Sequence, residues 1–84
     1  MNIPLVYADV NKKYVINELH LKDDLLKHIM NLGFLKENEI KIMSKKNEDM
    51  IVEILGSKVA ISKEIARKIY VREKEKEKEN GLDK

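Results

Sequence analysis

Apolar positions along the chain follow two periods, and the switch between them marks out the elements. From Leu21 to Leu32 they recur at helical spacing: Leu21, Leu25, Ile29 and Leu32 fall within one arc, with Asp23, Lys27 and Asn31 opposite. Asp23 and Asp24 lie in the first turn, where carboxylates favour the helix dipole. Gly33 follows the last apolar position and is suited to the left-handed conformation that ends a helix. Leu26 and Met30 widen the arc beyond one flat contact, so either a loop covers them or a partner does.

Elsewhere the period is two. Tyr14–Leu19 reads as a first strand, with Tyr14/Ile16 and Val15/Leu19 competing for its inward face. Ile40–Lys45 reads as a second strand and Met50–Leu55 as a third, joined by the polar turn 45–49. In the third, Met50, Val52 and Ile54 share one face, and Ile51, Glu53 and Leu55 the other. Gly56-Ser57 turns into a fourth strand, Lys58–Ile61. Ser62 is placed to cap a short helical turn over 63–68, and Ile69–Val71 ends the pattern as a fifth strand. Ahead of all this, Leu5, Val6 and Tyr7 are expected to close one side of the core. The expected architecture is mainly β: a small barrel of about five strands, with one amphipathic helix after the first. An α+β sheet with one packed helix is the alternative.

Composition narrows the function more than the fold. A chain of 84 residues with 43% hydrophobic positions builds one small domain. It has no cysteine, so neither disulfides nor thiolate metal sites are available. Its start lacks the basic and apolar regions of a signal peptide, and no run is long enough to span a membrane, so a cytoplasmic protein with no direct membrane insertion is expected. Net charge is +2 with both signs mixed throughout, which is not the clustered basic surface of a nucleic-acid binder. From Arg72 the chain turns to alternating Lys and Glu, and 72–84 reads as a charged, flexible tail on a domain of residues 1–71. No nucleophile–base set, phosphate-cradling loop or paired-acid cleft stands out, so an enzyme is not expected.

Two sets of residues carry candidate chemistry. His20, Asp24 and His28 form a rough stripe of nitrogen and oxygen donors. The two histidines would stand about 12 Å apart along a helix, so at best Asp24 and His28 make half of a weak site for ferrous or another divalent ion. The bland reading is a surface carboxylate–imidazole pair. The second set, Leu26, Met30, Phe34, Leu35 and Met43, clusters around the helix exit and the next strand. It serves either as core or as an apolar patch for a protein partner.

A family resemblance bears on this choice. Leu26, Leu32-Gly33-Phe34, Ile40 and Ile42 resemble the first signature segment of the FeoA family. Residues 51–54 with Gly56, then Val59-Ala60-Ile61, Ala66 and Ile69-Tyr70-Val71, are similar to its second. The likeness runs from Leu5 to Val71. At two points where the family has glycine, this chain offers Asn11 and Asn38, and asparagine enters the left-handed region readily. The resemblance implies an SH3-like barrel without a resident cofactor, accompanying FeoB, a membrane ferrous-iron transporter with a cytoplasmic GTPase domain. It implies binding to that transporter's cytoplasmic part, with self-association into a homo-oligomer left open. Rival readings are a metal-responsive module, since similar SH3-like domains end some iron- and manganese-dependent repressors, and a nucleic-acid-binding small barrel. A complete repressor would need a helix-turn-helix region, which the sequence lacks.

Overall fold

The computed structural model describes residues 1–74. Six antiparallel strands form one sheet: β1 (Ile3–Pro4), β2 (Lys13–Leu19), β3 (Glu39–Lys45), β4 (Asp49–Ile54), β5 (Ser57–Ser62) and β6 (Ile69–Glu73), in the order β1-β6-β2-β3-β4-β5. Two helices interrupt them, α1 (Asp23–Asn31) between β2 and β3, and the single turn α2 (Lys63–Ala66) between β5 and β6. The expected SH3-like fold is present, with six strands rather than five. The added strand is β1, which precedes the one read as first. It is two residues long and contains Pro4, so it has no periodicity to read, and it lies at a sheet edge where proline is tolerated.

Alternation builds the core. Tyr14 and Ile16 settle the register of β2 by facing inward, as do Ile40 and Ile42 on β3, and Met50, Val52 and Ile54 on β4. Two register shifts, between Ile16 and Glu18 on β2 and between Ile42 and Ser44 on β3, each leave one extra residue and bend the sheet. The bend brings the ends of the sheet together: α2 packs against β4, β5, β6 and the 3-10 turn Leu5–Tyr7 that follows β1. Ser62 caps α2 as expected, its Oγ accepting from the Ile65 N–H at 3.1 Å. In the 3-10 turn Leu5 is fully buried and Val6 packs on the core, but Tyr7 points outward.

The helix differs from its expected wheel. Ile29 is fully buried and Leu26 packs against the core, whereas Leu25 is 40% exposed. The wheel assumed a helix from Leu21 to Leu32. Lys22 is instead the N-cap, Asp23 has φ +59°, and Leu32 is the C-cap. Leu21 and Leu32 therefore reach the core from outside the helix, and the buried arc centres between Leu26 and Ile29. At the other end of the chain, β6 continues past Val71 to Glu73, and Arg72 donates to Asn17 Oδ1 and Glu37 Oε1 at 2.8 and 2.9 Å. The rest of the expected tail, from residue 75 on, lies outside the described residues.

Candidate functional site

The helix exit is closed by a set of local hydrogen bonds. The Gly33 N–H donates to the Met30 carbonyl at 2.9 Å and the Phe34 N–H to the Ile29 carbonyl at 3.3 Å, the paired bonds of a Schellman stop. Gly33 takes φ +107°, as its place after the apolar stripe predicted. Phe34 and Ile29 make the accompanying apolar contact from inside the core, since both are buried. The loop is then closed by short local bonds. Leu35 N–H donates to the Gly33 carbonyl at 2.9 Å, Asn38 N–H to the Leu35 carbonyl at 3.1 Å, and Asn38 Nδ2 to the Gly33 carbonyl at 2.9 Å. The left-handed residue in this loop is Glu37, with φ +75°, one position before the asparagine expected to take that conformation. Asn38 contributes its side-chain amide instead. The other expected substitute, Asn11, does adopt φ +67°.

This geometry divides the expected apolar patch. Phe34 leaves it, being fully buried as the anchor of the helix stop. Leu26 packs on the core, and Met43 is half-buried at the extra position of the β3 bulge. Met30 and Leu35 remain on the surface, 39% and 38% exposed. A third residue joins them that the sequence pattern assigned to a strand face. Leu55 occupies the two-residue turn between β4 and β5, with φ +52° followed by +79° at Gly56, the sign pattern of a type I′ turn. It is 69% exposed and lies over Gly33, where a Cβ would stand 2.9 Å from Leu55 Cδ1. Met30 and Leu35 flank Gly33 along the chain, and Leu55 lies against it from the β4–β5 turn.

The metal-ligand stripe is not held together in the same way. His20 precedes the helix, with its Nε2 2.7 Å from Glu18 Oε1 and its ring 4.5 Å from that of Tyr70. Asp24 and His28 are exposed on α1. Among the described residues, no three His, Asp or Glu side chains gather into a metal-binding group. No described helix is long and apolar enough to cross a membrane.

Comparison with known proteins gives a concordant picture. The sequence pattern of the FeoA domain matches residues 3–73. No curated protein matches the chain. Among solved structures, an iron uptake regulatory protein (FeoA) shares 19% identity at a TM-score of 0.79, covering 86% of this chain and 97% of that one. A FeoA-like protein from Clostridium acetobutylicum shares 19% identity at 0.78, covering 92% of each chain. IdeR of T. acidophilum shares 23% identity at 0.77 over 87% of this chain, and the match spans only 34% of IdeR.

Proposed function

The chain belongs to the FeoA domain family, and on that premise we propose that it is a non-enzymatic accessory protein of ferrous iron uptake, docking on the cytoplasmic part of a FeoB-like transporter. Family membership implicates the chain in ferrous iron transport. The docking role draws on one observation: three large apolar side chains, Met30, Leu35 and Leu55, stand exposed around a helix exit whose backbone is pinned by five local hydrogen bonds. A preorganised apolar surface loses little entropy on binding, so it suits protein contact better than catalysis. Contact with one conformation of the transporter in preference to another would modulate it. The protein then works in the cytoplasm, peripheral to the membrane through its partner. The likeness to IdeR concerns the fold and does not by itself favour a metal-sensing role.

The test is capture of the tagged protein's partners from solubilised membranes of its own cell. The wild type is expected to retain a GTPase-domain iron transporter, and Met30→Asp and Leu35→Asp to lose it while melting near the wild-type temperature. Recovery of nucleic acid or a soluble enzyme without a transporter would remove this function.

A further inference from the structure

On the outer face of the sheet, strand register sets four charged residues in one row across four strands. Lys13 on β2 is opposite Lys41 on β3, Lys41 is opposite Glu53 on β4, and Glu53 is opposite Lys58 on β5. Directly opposed lysines repel one another, and nothing in the fold requires this pair. Lys13 is only partly compensated, its Nζ lying 3.6 Å from Glu39 Oε2. Glu39 is itself held at 2.8 Å by Lys74 Nζ, so its charge is already matched. Among the described residues Lys41 and Lys58 form no ion pair.

Lys13 and Lys41, but not Lys58, line an open depression of about 460 Å³ together with Glu39, Glu53, Ile40 and the turn residues Leu55 and Gly56. Leu55 lines this depression and also lies against Gly33 at the helix exit. A leucine with positive φ is strained where asparagine or glycine would sit easily. Its exposed side chain stands beside a depression that carries both signs of charge, with the two lysines directly opposed.

We propose that this depression receives an extended acidic segment of the docking partner, with a carboxylate seated between Lys13 and Lys41 and a neighbouring apolar side chain against Leu55. The inference rests on the docking reading above and specifies the partner's chemistry. The opposed Lys13–Lys41 pair, whose neighbour Glu39 is already held by Lys74, selects the acidic residue, and Leu55 selects the apolar one.

The test uses isotope-labelled protein and two capped hexapeptides, one alternating Glu with Leu and the other Lys with Leu. The acidic peptide is expected to shift the backbone amides of Lys41, Glu53, Leu55 and Gly56, less so as salt is raised, and the basic peptide to leave them in place. Lys41→Glu should weaken the acidic peptide roughly tenfold or more, by placing like charges together. Leu55→Asn should weaken it while preserving the fold, since asparagine accepts the turn's backbone. Equal shifts from both peptides, shifts elsewhere, or no shifts would overturn the proposal, as would a short single-stranded oligonucleotide that occupies the depression more tightly than the acidic peptide. Membrane capture separates the two readings. Transporter retained by Lys41→Glu but lost by Met30→Asp leaves the docking role standing and removes the groove; transporter absent from the wild type removes the docking role itself.

Discussion

Replacing Gly33 with alanine tests the helix exit most directly. At φ +107° an L-residue is outside even the left-handed well, which centres near +57°. Holding alanine there costs about 2 kcal/mol, within the usual range for sparsely populated backbone conformations. The new Cβ would also stand 2.9 Å from Leu55 Cδ1 and 3.3 Å from Leu55 Cγ. Leu55 is 69% exposed and has room to swing away, so this clash adds only about 0.5 kcal/mol. Gly56 supplies the control. It has φ +79°, closer to the left-handed well, and nothing lies within 4 Å of its added Cβ, so Gly56→Ala should cost about 1 kcal/mol. For a domain of this size each kcal/mol lowers the melting temperature by about 4–8 °C. Calorimetry should therefore place Gly33→Ala roughly 10–20 °C below the wild type, and Gly56→Ala less than half as far. In a Leu55→Asn background the Gly33→Ala penalty should shrink by the steric share alone. Equal penalties at the two glycines, or complete rescue by Leu55→Asn, would refute the assignment of the cost to the Gly33 backbone.

Three further outcomes are expected. Ser62→Ala removes the acceptor of the Ile65 N–H and should cost about 1 kcal/mol, seen as a lower urea midpoint with an unchanged m-value. The hydrogen bond from Lys74 and the nearby Lys13 hold the Glu39 carboxyl below its ordinary 4.5; protons therefore bind the unfolded chain more readily, and this contribution is present above pH 4.5 and fades as pH falls below it. Because these groups are exposed the effect is small, and Glu39→Gln should reduce the loss of stability between pH 6 and 3 measured at low salt. Met30→Asp and Leu35→Asp should each change stability by about 0.5 kcal/mol or less, whereas Phe34→Ala, which empties the centre of the helix stop, should cost about 3–5 kcal/mol and leave little folded protein by circular dichroism.

The parts of the fold readable from the sequence are those where one face of an element is buried and the other wet. Alternation located β2, β3 and β4 to within a residue or two, because a one-residue slip would have turned Ile40, Ile42, Val52 and Ile54 to solvent. The helix exit was readable because only glycine fits its backbone easily. The helix entry was not, because Lys22 makes no side-chain cap and Asp23 adopts positive φ without a glycine to announce it. That gap rotated the wheel and exchanged Leu25 for Leu26. Leu55 was missed for a related reason: its place after Ile51 and Glu53 continues a strand's alternation, while the only local sign of a turn is Gly56. The lysine row could not have been found locally at all. Lys13 and Lys41 meet only because α1 and its exit loop return the chain antiparallel to β2, so their pairing depends on the tertiary register.

The division between interior and surface also says where function belongs. Core positions from Leu5 to Val71 form one packed cluster, and bulges at Asn17 and Met43 curl the sheet around it. A core of this kind accounts for why a similar fold occurs both in FeoA proteins and as about a third of IdeR, without implying a shared activity. Whatever distinguishes this chain must then lie in residues the core does not explain. Leu55 is the clearest of them: it is strained by its turn, adds little to the buried cluster, and is exposed between Gly33 at the helix exit and the depression lined by Lys13 and Lys41 with Glu39 and Glu53. If it served only the turn, Leu55→Asn would be a stabilising change without functional consequence. The docking reading shares the gain in stability and differs in the second outcome: the variant holds its partner less well. Measuring melting temperature and transporter capture on that one variant separates a residue retained for the fold from one retained for contact.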